Sequence, residues 1–338
     1  MKNRIDSSRK KTPWEYVENK TILQSFINDK YKENYVFKHP LLSQTKEASL
    51  LNSIEIKECR FCSSNKIIKR GKTKNGIQLF YCKECLRRFS ATTATIFEGH
   101  KISIEEWIEF LLDIFNYGSS TFTSKVNKNS MNTTIFWLHK VFLVLKNYQN
   151  DIVLKDNVYI DETFYKVIKK DIKMKDGKQL RGLSTNQYCI GLGYDGNNII
   201  AILEGLGKTS SCKTKNAFIS HIKKESRLIH DDEKSHNILV DELKLVDESY
   251  NSLWLKTKKD KDNPLNPINH QCNLLKQFLN AHSGFDRADL QDYLSLYSFI
   301  NSGHKNKLEK VEEFLKLALN TKISLQYRQL FETKNDFK

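Results

Sequence analysis

Apolar and polar positions change rhythm several times along the chain. In residues 157–165, NVYIDETFY, Val158 and Ile160 alternate with Tyr159 and Asp161, the two-residue period of a half-buried strand. The period returns in Tyr188 to Tyr194 and in Asn198 to Glu204, joined at Asp195-Gly196, a hairpin signal. Helical spacing follows around Lys215 to Lys224 and Ser235 to Leu245, and short strands are expected at Arg227 to Ile229 and near Tyr250 to Leu255. Upstream, SIEEWIEFLLDIFNYG sets Ile104, Trp107, Ile108, Leu111, Leu112 and Phe115 on one helical face. Ser103 and Glu106 can form its capping box, and Gly118 can end it in the left-handed conformation.

Three antiparallel strands followed by alternating helices and strands are the order of an RNase H-like α/β fold, a mixed sheet flanked by helices. In that order the first and fourth strands end side by side. Asp161 therefore gains a partner in Asp231, at the end of the segment His230-Asp231-Asp232. Alternation sends the neighbouring Glu162 to the opposite face of the strand. A second helical run, MNTTIFWLHKVFLVLKNY, approached through SSTFTSKVNK, completes three helices that suit either a helix-turn-helix or a plain packing module.

A chain of 338 residues suits about two domains. The expected divisions are a helical lead-in at 1–55 and a cysteine block at 56–98. A helical, helix-turn-helix-like module at 99–150, an RNase H-like domain at 155–302 and a charged helical tail at 303–338 follow. Net charge is +15, which favours a polyanionic partner such as DNA. No apolar run has the length of a transmembrane helix and the first residues lack a signal-peptide core, so no membrane partner and a cytoplasmic, nucleoid-associated location are expected.

Four of the seven cysteines, Cys59, Cys62, Cys82 and Cys85, follow the pattern C-x2-C-x19-C-x2-C. Each pair brings two thiolates together, and two such knuckles complete the tetrahedral shell of one structural zinc. The apolar strands between them flank Asn75-Gly76, which suits a type I′ hairpin and so a zinc ribbon. Residues 57–88 carry ten Lys or Arg against two Glu, a surface suited to phosphate contact. Cys189, Cys212 and Cys272 read as ordinary thiols.

Two converging carboxylates attract Mg²⁺ or Mn²⁺, hard ions that keep water or substrate phosphate in their shell. A pair of such ions serves both the attacking and the leaving oxygen of phosphoryl transfer. In PINHQCNLLKQFLNAH, Asn269, Asn273 and Lys276 form a polar stripe beside the apolar Ile268, Cys272, Leu275 and Leu279. Asn269 is the candidate third ligand, and Lys276, about 10 Å further along the helix, would meet DNA phosphates. An Asn capping the helix after Pro267 is the plainer reading of Asn269. His230 and His270 adjoin the site, with local hydrogen bonding as their plainer role.

Taken together, CRFC and CKEC, VYIDETFY, LIHDDEKSH and PINHQCNLLKQFL resemble bacterial insertion-sequence transposases of the DDE superfamily. The resemblance is to the group that couples a zinc ribbon to an ISXO-type catalytic domain, and it spans about residues 56–300. It implies Asp161 as the first acid and Asp231 as the second, with Asp232 where Gly is common and His236 where Tyr is common. Asp232 stays open as the alternative second acid. Part of the family has Asn at the third position and a basic residue seven positions later, which match Asn269 and Lys276. The resemblance implies metal-dependent cleavage and strand transfer at transposon ends by at least a dimer. Two other readings fit the residues: a transposon-derived DNA-binding protein without catalysis, and an RNase H-like nuclease or resolvase.

Overall fold

The computed structural model describes residues 47–100, 103–303 and 305–332; the lead-in expected at 1–55 lies almost wholly outside them. The described residues form two compact units, divided between Val144 and Leu145 and between Lys305 and Asn306.

The first unit begins with α1 (Glu47–Ser53) and a three-stranded antiparallel sheet of β1 (Ile67–Lys72), β2 (Gln78–Cys82) and β3 (Arg88–Phe89). Its hairpin differs from the expected type I′. Gly76 N–H donates to Thr73 O, and Gly76 alone in the turn has positive φ, +79°. This is a type I turn closed by a left-handed glycine, the bulged alternative that lengthens the loop.

Three helices follow: α2 (Ile104–Phe115), α3 (Ser120–Val126) and α4 (Met131–Leu145). The buried face of α2 carries Ile104, Trp107, Phe110, Leu111, Ile114 and Phe115, with Ile108 and Leu112 only half-buried. Trp107 stacks on Trp137 of α4 at 4.6 Å between ring centres, which locks the two helices together. Both expected caps of α2 differ. Ser103 makes no side-chain cap bond; instead Glu47 Oε2 accepts the Ile104 N–H at 3.3 Å, so α1 supplies the capping carboxylate. At the other end Tyr117 takes the left-handed φ, +64°, while the Gly118 N–H reaches Asp113 O at 2.8 Å in a Schellman closure. Gly118 is needed for space, because a Cβ there would lie 2.7 Å from that carbonyl oxygen.

The second unit is built on a five-stranded mixed sheet. Its strands are β4 (Asn157–Lys166), β7 (Gln187–Tyr194), β8 (Ile199–Leu206), β9 (Arg227–Asp231) and β10 (Val246–Tyr250), in the order β10-β9-β4-β7-β8. The strand β7 pairs antiparallel with both β4 and β8; β9 and β10 run parallel to β4. Between β4 and β7 lies a small hairpin, β5 (Met174–Lys175) and β6 (Lys178–Gln179). The last strand ends at Tyr250, earlier than its pattern suggested, and residues 252–255 turn helical as α7 (Ser252–Leu255).

Alternation in β4 assigns its faces. Val158 and Ile160 join Leu228, Phe218 of α5 (Ser211–Phe218) and Leu239 and Leu243 of α6 (Asn237–Leu243) in one core. On the other face Tyr165 donates its hydroxyl to Leu279 O of α8 (Asn266–Ala281) at 3.1 Å. Next, α9 (Leu290–Asn301) lies along β8, where Gln291 Oε1 accepts the Leu203 N–H at 2.8 Å. Helices thus cover both faces, as an RNase H-like order requires.

The chain then returns to the first unit. There α10 (Lys307–Asn320) packs on α2, edge-on through Phe314 and Phe115, and α11 (Tyr327–Glu332) follows. A capping box between Asn306 and Glu309 opens α10.

Candidate active site and cysteine cluster

Strand register sets the acid pair. In the parallel pairing Asn157, Val158 and Tyr159 face Arg227, Leu228 and Ile229; the ladder stops two positions short of Asp161 and Asp231, which remain near enough for the Asp231 charge to act on Asp161. Asp161 is half-buried near the middle of β4. Its Oδ1 accepts the Glu162 N–H at 2.8 Å, and its Oδ2 lies 3.7 Å from the Cys272 Sγ of α8. Burial, reinforced by the charges of Glu162 and Asp231, raises the Asp161 carboxyl to about 6. Burial also raises Asp231, and burial pushes the Cys272 thiol well up, with Asp161 adding to it. Cys272 is a buried core thiol in contact with Asp161.

Asp231 Oδ1 is buried without a hydrogen-bond partner. His236 Nδ1 lies 3.9 Å from that oxygen, beyond hydrogen-bond reach, so the oxygen stays available to a hard divalent ion shared with a second carboxylate, and the donor set fits one. Asp232 is exposed, and its backbone N–H donates to Tyr250 O at 3.2 Å. Of the two candidates for the second acid, Asp231 is the more enclosed.

On α8, Asn269 and Lys276 lie one turn before and one turn after Cys272, on the side that meets Asp161. The capping reading of Asn269 fails, because Leu265 occupies the cap and the helix begins at Asn266. Asn269 is half-buried, its side chain engaged by no hydrogen bond among the described residues; Lys276 is exposed, its charge close enough to Cys272 to act on the thiol.

Behind the acids runs a chain, buried through its histidines and ending on the exposed Asp247, that the sequence left unread. Glu162, on the opposite face of β4, accepts from His236 Nε2 at 2.8 Å; His236 Nδ1 meets His230 Nδ1 at 2.9 Å, and His230 Nε2 meets Asp247 Oδ1 at 2.9 Å. Between two carboxylates and one shared Nδ1···Nδ1 contact, the two rings together need one extra proton. Burial opposes charge on His236, but the Glu162 bond and the charges of Glu162, Asp231 and Asp161 outweigh it and raise its pKa. No spacing rule links these four positions, which meet only through the β4-β9-β10 register.

In the first unit the sulfurs of Cys59, Cys62, Cys82 and Cys85 all lie within 4.8 Å of one another. Cys59 and Cys85 are 3.6 Å apart at Sγ, as are Cys62 and Cys82. Disulfide sulfurs would be ~2.05 Å apart, whereas a tetrahedron with ~2.3 Å metal-sulfur bonds has edges of about 3.8 Å. The backbone N–H of Cys85 lowers Cys82 to about 7, while burial pushes Cys85 up to about 12. Thiols that compete in this way for negative charge suit a dication, and the set is compatible with zinc. Arg60, between the first two cysteines, is buried and donates through Nη2 to Leu319 O of α10 at 2.9 Å.

No family model matches the chain, and no curated protein matches it. Among solved structures, an intasome of simian T-cell lymphotropic virus in complex with PP2A regulatory subunit B56 gamma is similar at 8% identity, covering 56% of this chain and 67% of that one, with TM-score 0.28. A pre-cleavage Mos1 transpososome is similar at 11% identity, over 63% and 78%, with TM-score 0.23. A Mos1 transposase paired-end complex with the left transposon end is similar at 12% identity, over 63% and 74%, with TM-score 0.27. Likenesses this slight carry no inference about this chain. Among the described residues no helix is long and apolar enough to cross a membrane.

Proposed function

We propose that the second unit is an RNase H-like, metal-dependent phosphoryl-transfer domain that acts on DNA. More particularly, we take the protein as a DDE-type transposase with Asn at its third position, which binds insertion-sequence ends and carries out strand cleavage and strand transfer. The observation that carries this reading is the acid pair: Asp161 and Asp231 on adjacent parallel strands, both half-buried and both raised by burial, with a buried Asp231 oxygen that makes no hydrogen bond.

Mg²⁺ or Mn²⁺, two ions in this reading, would supply electrophilic stabilisation of the attacking and leaving oxygens. Asp161 and Asp231 would hold the ions, and Asn269 would add a neutral oxygen donor. Lys276 would meet a DNA phosphate as a point charge. The relay from Glu162 through His236 and His230 would fix the segment that carries Asp231. In the first unit Cys59, Cys62, Cys82 and Cys85 would hold one structural zinc in a ribbon at 56–98, and the helices at 99–150 would contact DNA. Two ends must be brought together, so the working form would be at least a dimer.

The test is strand transfer with Mg²⁺ on DNA that carries the inverted repeats flanking the gene. We expect 3′-end cleavage and joining with the wild-type chain, and loss of both with Asp161→Ala while end binding persists. Transfer that survives Asp161→Ala refutes the site; cleavage of branched DNA without joining would make the protein a nuclease.

A further inference from the structure

Lys140, on α4, is 5% exposed, and its ammonium group has no acidic partner among the described residues. Nζ donates to Ile96 O and sits 4.6 Å from the centre of the Phe136 ring. An ammonium has three N–H donors, and a buried cation without a counter-charge is expensive to maintain. Burial alone lowers its pKa, to about 8, so it remains charged at neutral pH.

The same lysine lines a cavity of about 430 Å³ within the first unit. Phe136, Trp137 and Tyr327 present rings to it, with Gly99, His100 and Gln326 among the other walls. Phe136 is half-buried, with Lys140 over its ring, and Tyr327 is exposed although the Phe331 ring packs 4.6 Å from it. The rings of Phe136 and Tyr327 meet edge-on, centres 5.3 Å apart, and the exposed part of Tyr327 is the ring surface a guest can meet. Glu98 borders the mouth but is exposed and makes no ion pair with Lys140. His100 is already engaged, Nε2 to Glu47 Oε1 at 2.6 Å.

A ligand that neutralises Lys140 must carry an anion; one that uses the rings must carry a flat π-system. The volume exceeds that of a bare inorganic anion and falls within the range for small-molecule sites. We propose that this cavity binds a single nucleotide unit, its base against Phe136 and Tyr327 and its phosphate on Lys140. Base-aromatic stacking is the common means of holding an unstacked base, and a protein with ten Lys or Arg at 57–88 has access to nucleic acid. The nucleotide has two sources, a free mononucleotide or a base turned out of DNA. The proposal is independent of catalysis by Asp161.

Calorimetry on the full chain tests it with dAMP, adenosine, benzoate, and duplexes with and without one unpaired nucleotide. We expect saturable dAMP binding at least tenfold tighter than adenosine, and Lys140→Met to remove that preference without lowering the melting temperature. Phe136→Leu should weaken dAMP and adenosine alike, a second reading should Lys140→Met fail to fold. Displacement of dAMP by the duplex with the unpaired nucleotide, and not by the paired one, assigns the site to DNA; dAMP binding without such displacement assigns it to free nucleotide. The proposal is overturned if neither dAMP nor the unpaired-base duplex binds. Equal affinity for dAMP and adenosine, binding of benzoate as tight as dAMP, or unchanged binding in Lys140→Met would overturn it equally. Because Asp161→Ala should bind dAMP as wild type does, failure here and failure of the transposase reading are distinguishable.

Discussion

The acid pair should make the metal-free protein less stable than it could be, and replacing Asp161 with Asn should reveal by how much. The folded state raises the Asp161 carboxyl from an ordinary 3.8 to about 6. At ~1.4 kcal/mol for each tenfold change in proton affinity, the ionised form costs the fold about 3 kcal/mol at neutral pH. The folded protein holds this proton more tightly than the unfolded chain does. Wild-type stability therefore falls as pH rises from about 4 to about 6, and the full cost is present above that. Asp161→Asn keeps the shape and removes the charge. Thermal melting at pH 7.5, with zinc retained and no other divalent ion added, should place the variant roughly 6 to 12 °C above wild type at ~2 to 4 °C per kcal/mol for a domain of this size. The gap should shrink to a small fraction by pH 4 and close below it, where Asp161 is protonated in both states, and should narrow at pH 7.5 as Mg²⁺ stabilises wild type alone. A variant no more stable than wild type at pH 7.5, or a gap insensitive to acid, would refute the frustration assigned to Asp161.

Removing Glu47 as Glu47→Ala should cost about 1 to 3 kcal/mol, because it deletes the α2 cap and leaves His100 without its partner; urea denaturation followed by tryptophan emission reads it. Replacing His236 with Ala strands the buried Glu162 carboxylate, for a similar cost of about 1 to 3 kcal/mol, and a midpoint unchanged in urea would contradict the relay. Zinc analysis should find one ion per wild-type chain and none in Cys59→Ser, with Cys59→Ser losing the β1-β2-β3 sheet by hydrogen exchange. Asn269→Ala should lose strand transfer more than end binding, whereas Asn269→Glu should keep transfer at lower Mg²⁺, since a carboxylate binds the ion more tightly than an amide.

Much of the sheet was legible because period-two alternation and hairpin dipeptides are local signals. The strands β4, β7 and β8 fall within two or three residues of where their alternation placed them. The parallel strand β10 was displaced because Val246-Asp247-Glu248 alternates weakly, and pairing with β9 rather than composition creates it. Caps were misread for the same reason: Ser103 suited the local rule, yet a carboxylate from α1, more than fifty positions away, took the N–H of Ile104. Asp161 and Asp231 could be paired from fold order alone. Cys272 could not, because its role depends on the side of α8 that meets β4. The histidine relay was likewise hidden, since the residues His230 and His236 gain their partners Glu162 and Asp247 only after three strands assemble.

The first unit draws on both sides of the second. Its helix α2 packs against α10, and the buried Arg60 of the cysteine loop donates to Leu319 O. During synthesis the chain emerges from its N-terminal side, so the cysteine loop and α2 wait, unfinished, while the whole five-stranded unit is made. A released chain truncated after Lys305 should therefore hold a folded second unit and an incomplete first one. Whatever the first unit grips, it can be gripped only by a chain whose five-stranded domain already exists, which places assembly of the second unit ahead of capture by the first.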